Sequence, residues 1–152
     1  MSKDFIIQLN NLCQKLDILY DINNGGCCYV AYKIAKQLDK LNIKYELVVF
    51  DYISKNKSLI SKEVINKRKN IKDNESVVGN GTCNHYCLYL RGYGYINKGD
   101  FDDRNKYFIK NISYKNIRWI YKKGDWNDEY LISKNSIVSK TIKSFFKHYK
   151  IS

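Results

Sequence analysis

Apolar residues recur at helical spacing in two early stretches of the chain. Phe5, Leu9, Leu12, Leu16 and Leu19 fall three or four apart and predict a helix over 3–20, with Ser2 as its cap. Asn23-Asn24-Gly25-Gly26 breaks it. Ala31, Ile34, Ala35, Leu38 and Leu41 form the stripe of a second helix over about 27–41, ended by Asn42. Residues 44–53, Lys-Tyr-Glu-Leu-Val-Val-Phe-Asp-Tyr-Ile, read as a strand. Residues 54–80 are polar and basic, with one short helix expected near 61–69. From Thr82 the period changes to two. Strands are expected at 83–91 and 93–97, as a hairpin about Arg91-Gly92-Tyr93-Gly94, and again at 106–112 and 116–122. Residues 124–128 read as a turn. A last helix is expected over 135–149, with Val138, Ile142, Phe145 and Tyr149 on one face. Helices, then antiparallel strands, then a helix make an α+β order. No repeat or linker divides the chain, so residues 1–152 read as a single domain.

Composition refines this picture. No stretch approaches the roughly 20 apolar residues of a membrane span, and the start Met-Ser-Lys-Asp has no signal-peptide apolar run. The expectation is a cytoplasmic chain with no membrane partner. The net charge is +12, which favours acidic or phosphate-rich partners. The lysines are spread along the chain, however, and the densest run, Lys62 to Lys72, reads first as a solvated face. Lys, Asn, Ile and Tyr abound and Pro is absent. These are the residues that AT-rich codons specify, so part of the charge reflects coding bias, and the source expected is a low-GC bacterium or one of its phages. Five cysteines are an odd number for a disulfide framework, and a domain of this length needs none. Reduced thiols are expected.

Two segments carry chemistry. Asn-Gly-Gly-Cys-Cys-Tyr-Val-Ala, 24–31, opens the second helix; Cys-Asn-His-Tyr-Cys-Leu-Tyr-Leu, 83–90, is a strand holding one of two histidines. Cys27 at a helix N-terminus gains from the exposed amides there, which favour a thiolate and can serve as part of an oxyanion hole. His85 is the candidate proton acceptor, and Asn97, past the glycine turn, the candidate to orient it. Such a triad predicts the Cys27 sulfur roughly 3 to 4 Å from one His85 ring nitrogen and Asn97 at the other. Two bland readings compete. Free cysteines are most often small buried hydrophobes, and a lone histidine is most often a satisfied core or surface group. Zinc is the other competitor: Cys83, His85 and Cys87 share a strand face and, with Cys27 or Cys28, supply a Cys₃His set. Their spacing differs from the usual Cys-x₂-Cys knuckles, so no metal or other cofactor is expected. His148, among lysines in the last helix, reads as solvated.

The run from Gly25 to Val48 resembles the nucleophile helix of papain-like and transglutaminase-like cysteine enzymes: a glycine before the cysteine, an alanine four after it, a helix, then an Asn-Ile link into a strand. His85 to Asn97 resembles the second half, with a histidine opening a strand, a glycine turn, an aromatic, and an Asn opening the return strand. The resemblance spans roughly 22 to 100. It implies a papain-like α+β fold with the cysteine helix packed on an antiparallel sheet. It implies Cys27 as nucleophile, His85 as base and then acid, and Asn97, or Asp100 in reserve, as the orienting residue. The activity implied is acyl transfer at an amide of a protein or peptide substrate: peptidase, amidase or transglutaminase-like. Two departures stand out. A second cysteine follows the nucleophile, and no glutamine matches the oxyanion position, leaving Asn24 or Tyr20 for it. The alternative is a catalytically idle module of the same fold, assembling with virion proteins or binding nucleic acid through its basic surface.

Overall fold

The computed structural model describes residues 2–23, 26–51, 84–101, 106–117 and 129–149. The helix expected near 61–69, the turn at 124–128, residues 52–53 and 118–122 of the expected strands, and Cys83 and Asn24 lie outside these.

The first helix, α1, is Lys3–Tyr20. The Ser2 hydroxyl accepts from the Phe5 amide at 3.4 Å, and at the far end Asp21 turns left-handed (φ 53°), its amide closing on the Asp17 carbonyl at 2.8 Å. The buried positions are Phe5, Ile6, Leu9, Cys13 and Leu16. The stripe is thus rotated from the expected one. Leu12 is half-buried and Leu19 is 56% exposed, while Ile6 and Cys13 go inside. The reason is that α1 serves two neighbours, the edge of the sheet and the last helix.

The second helix, α2, is Cys27–Lys40. Gly26 is its N-cap and supplies no side-chain bond. Nine of its residues are buried, Cys27 to Tyr32 together with Ile34, Ala35 and Leu38. A helix apolar on nearly every side is a core element. The sheet covers one side of it and the last helix another. Asn42, at φ 56°, ends it, with the Ile43 amide returned to the Leu38 carbonyl at 3.0 Å.

Four antiparallel strands follow: β1 Glu46–Asp51, β2 Asn84–Leu90, β3 Gly94–Ile96 and β4 Lys106–Ile109, in the spatial order β3-β2-β1-β4. Register pairs Val49 with Tyr86 and Phe50 with His85 across the centre, and Leu88 with Ile96 at the hairpin. Alternation sorts the side chains. Leu47, Val49, Tyr86, Leu88, Leu90, Ile96 and Ile109 join the helices in the main core. Val48, Phe50 and Cys87 point the other way, under Tyr89, Tyr95, Phe101 and Phe108. Both faces of β1 are covered, which explains why it reads as an unbroken apolar run.

The strand expected at 116–122 is corrected in its described part. Residues 114–117 form a single helical turn. Ser113 causes it: its carbonyl accepts from Asn116 and Ile117, and its hydroxyl accepts from Asn116 at 3.3 Å. The last helix, α3, is Glu129–His148 and begins earlier than the expected residue 135. It packs on α2 and α1. Phe5 of α1 is ringed by Phe145, Phe146 and Tyr149, with centroids 5.2 to 5.7 Å away. The result is a mixed α+β fold with a small four-stranded antiparallel sheet. Among the described residues no helix is long and apolar enough to cross a membrane.

Candidate cysteine site at the sheet edge

Cys27, the first residue of α2, reaches the sheet where β3 stops. β3 ends at Ile96, opposite Leu88. Two residues further along β2, the Tyr86 amide donates to the Cys27 sulfur at 3.5 Å. The sulfur therefore lies against the peptide that joins His85 to Tyr86.

His85 is 1% exposed. Its ring stacks on Phe101 (centroids 4.3 Å apart, 5° between planes) and tilts against Phe50 at 6.2 Å. Nε2 lies 2.6 Å from the Asn97 main-chain oxygen. A carbonyl can only accept, so Nε2 carries the proton and Nδ1 the lone pair. Burial pushes the His85 pKa below its usual value; the bond to Asn97 and the charge of Asp17 oppose that shift. The neutral ring is the favoured state.

Asn97 performs its part with its backbone. It sits at φ 65°, a left-handed conformation that Asn tolerates, and this turn ends β3. Its side-chain amide exchanges two bonds with Asn23, at 3.0 and 3.2 Å. Its N–H donates to Asn10 Oδ1 at 2.8 Å, and Asn10 Nδ2 donates to the Tyr95 carbonyl at 2.8 Å. The resemblance implies a side chain orienting the histidine. Here the main-chain oxygen of the same residue contacts the ring.

The structure thus brings His85 and Asn97 together and seats Cys27 beside them. The sulfur meets the Tyr86 amide, on the main-chain side of the His85 ring. Strand alternation directs that ring to the Phe50 and Cys87 side of the sheet, whereas Cys27 belongs to the helix-side core. Asp100, the reserve residue, is exposed, and Tyr20 is half-buried at the end of α1.

The other described thiols are held in the protonated form. Cys28 is buried against the Ile117 carbonyl at 3.8 Å, and burial, then Cys27, pushes its pKa well up. Burial, with Asp17 behind it, pushes Cys13 to about 12. Burial likewise pushes the Cys87 pKa well up. Among the described residues no group of three or more Cys, His, Asp or Glu is placed to hold a metal, and Cys83 of the possible zinc set is not among them.

Sequence reasoning passed over Asn10, Asn23 and Phe101. Asn10 lies on α1 in line with Cys13 and Asp17, and a polar line beside an apolar stripe is the signal that marks it. Asn10 and Asn23, with Asn97 and Asp100, border a groove of about 420 Å³ between α1 and the end of β3. Cys27 and His85 do not line it. Comparison of the chain with protein-family models, with curated proteins and with solved structures returns no match.

Proposed function

We propose that this chain is a papain-like cysteine module that transfers an acyl group from an amide through Cys27, His85 and Asn97. One observation carries the reading. Cys27 from the start of α2 meets His85 and Asn97 of the β2-β3 hairpin at one sheet edge, with the sulfur 3.5 Å from the Tyr86 amide and the His85 Nε2 2.6 Å from the Asn97 oxygen. The chemistry follows from that proton arrangement. Nε2–H is engaged, so Nδ1 is the basic nitrogen that takes the thiol proton. The thiolate attacks the substrate carbonyl, and the amides of the first turn of α2 face the developing oxyanion. The imidazolium returns its proton to the departing amine. Water or a second amine then attacks the thioester and frees Cys27. For the first transfer the His85 ring must turn toward the sulfur.

The burial of both groups favours a second reading. Cys27 is 2% and His85 1% exposed, and Phe101 lies flat on the imidazole. In that reading the same contacts only hold the fold, and the module acts in assembly. Brief iodoacetamide treatment at neutral pH with mass mapping separates the two. A dominant adduct on Cys27 that disappears in His85→Ala supports acyl transfer. Absence of a Cys27 adduct, or one that persists unchanged in His85→Ala, supports the idle module.

A further inference from the structure

We propose that the sheet face turned away from the helices binds single-stranded nucleic acid. The floor of this face is Val48, Phe50 and Cys87, all buried. Above it runs a ladder of half-buried rings. Tyr95 and Tyr89 have centroids 5.0 Å apart, and Tyr89 and Phe108 5.4 Å. Lysines hang over the rings. The Lys106 ammonium lies 5.0 Å from the Tyr95 centroid and 5.5 Å from that of Phe108, and Lys98 lies 5.6 Å from Tyr95. At the far end of the ladder, Tyr89 also walls a recess of about 370 Å³ that gathers Lys44, Arg91 and Lys110 from the ends of β1, β2 and β4. All three cations are exposed. Among the described residues the one carboxylate lining the recess is Glu46, and Arg91 pairs with it at 2.9 Å.

Charge and ring chemistry select the occupant. Five cations flanking a row of aromatic rings match a chain of phosphates with unpaired bases: the rings stack bases of any sequence, and the cations track the backbone. A duplex keeps its bases stacked inside and cannot use the rings. An acidic protein would use the cations and leave the ladder idle. The overall +12 charge draws the polyanion in. Six strand positions, about 20 Å, separate Arg91 from His85, so the Lys44, Arg91 and Lys110 end of the face lies away from the cysteine site, while Phe50 at its other end borders the His85 ring.

The test is fluorescence anisotropy with a labelled 15-nucleotide oligothymidine and the full chain, from 50 to 300 mM salt. Five phosphate contacts predict a slope of log K against log salt of about −3.5. Converting Lys44, Arg91 and Lys110 together to Gln should flatten that slope by about 2 and leave the melting temperature in place, since these are surface side chains. Tyr89→Leu with Phe108→Leu keeps apolar packing but removes the stacking faces, and should weaken binding roughly tenfold or more with little change in slope. An unchanged slope in the triple variant overturns the proposal. So does equal affinity for a 15-base-pair duplex. Competition by polyglutamate as effective, charge for charge, as by unlabelled oligothymidine overturns it in favour of an acidic protein partner.

Discussion

His85 makes the fold sensitive to pH below about 6.5, with a sign that the structure dictates. The ring is buried against Phe101 and Phe50, and burial lowers its pKa from the ordinary 6.5. In the unfolded chain the imidazole takes its proton near that ordinary value. In the folded chain it resists until a lower pH. Between the two values the unfolded state binds more protons, so stability falls as pH falls. The contribution is fully present above about pH 6.5, declines below it, and levels off beneath the folded pKa. One proton gives a slope of at most about 1.4 kcal/mol per pH unit. For a domain of this size that is about 3 to 6 °C in melting temperature per unit. His85→Gln is the perturbation of choice. It offers an N–H to the Asn97 oxygen and cannot titrate in this range. Urea melts at pH 5.0, 5.5, 6.0, 6.5 and 7.5 on both proteins isolate the effect, because the difference between them removes the carboxylates. The native protein should lose stability on acidification more steeply than the variant, and above pH 7 the two curves should run parallel. Parallel curves down to pH 5 would refute the buried neutral imidazole, and with it the assignment of the Nδ1 lone pair as base. Asp17→Asn extends the test. Asp17 charge holds the His85 pKa up, so its removal should widen the sensitive window toward lower pH.

Other consequences are open to direct measurement. Cys13, Cys28 and Cys87 are kept as buried thiols, so at pH 8 they should react with Ellman's reagent only after denaturant is added; fast native reaction at any of them would contradict their packing. Asn10→Ala strips the acceptor from the Asn97 amide and the donor from the Tyr95 carbonyl, and should cost about 1 to 3 kcal/mol in a chemical melt. Asn10→Asp keeps the acceptor and should recover part of that. Phe5→Ala removes the ring that α3 closes upon and should cost about 3 to 5 kcal/mol, measured the same way.

What the sequence made legible is what local chemistry decides. The bounds of α1 follow from Ser2 at one end, and those of α2 from Gly26 and Asn42, all short-range effects. The hairpin of β2 and β3 follows from alternation and from Gly92 and Gly94, which stand at φ 84° and 117°. What stayed hidden depends on neighbours far off in the chain. The inward face of α1 is set by β3 and α3 together, so Leu19 fits the periodicity and still faces solvent. The end of the β run was missed because Ser113, unremarkable among polar residues, folds the chain into a turn. The asparagine pairings join residues 74 and 87 positions apart, and no period announces them. Asn97 could be named as a candidate from its place after the glycine turn. That its oxygen, rather than its amide, meets the histidine follows from φ 65°, a backbone choice that residue type permits and does not dictate.

That single backbone choice organises the sheet edge. An extended Asn97 would carry β3 onward past Ile96, alongside Tyr86. The amide that now donates to the Cys27 sulfur would then meet a strand carbonyl, and α2 would have no seat for its first residue there. The left-handed turn ends the strand, frees that seat for sulfur, and presents the Asn97 oxygen to His85. Asn10 and Asn23 fix the turn from outside, one on its amide and one on its side chain. The cysteine, the histidine and the asparagine are therefore coupled through the geometry of one edge, whether or not a proton passes between the first two. That coupling explains why Cys27 labelling, read together with the His85 pH profile, discriminates a working site from a structural one: the first reports the sulfur, the second reports the base, and acyl transfer requires both.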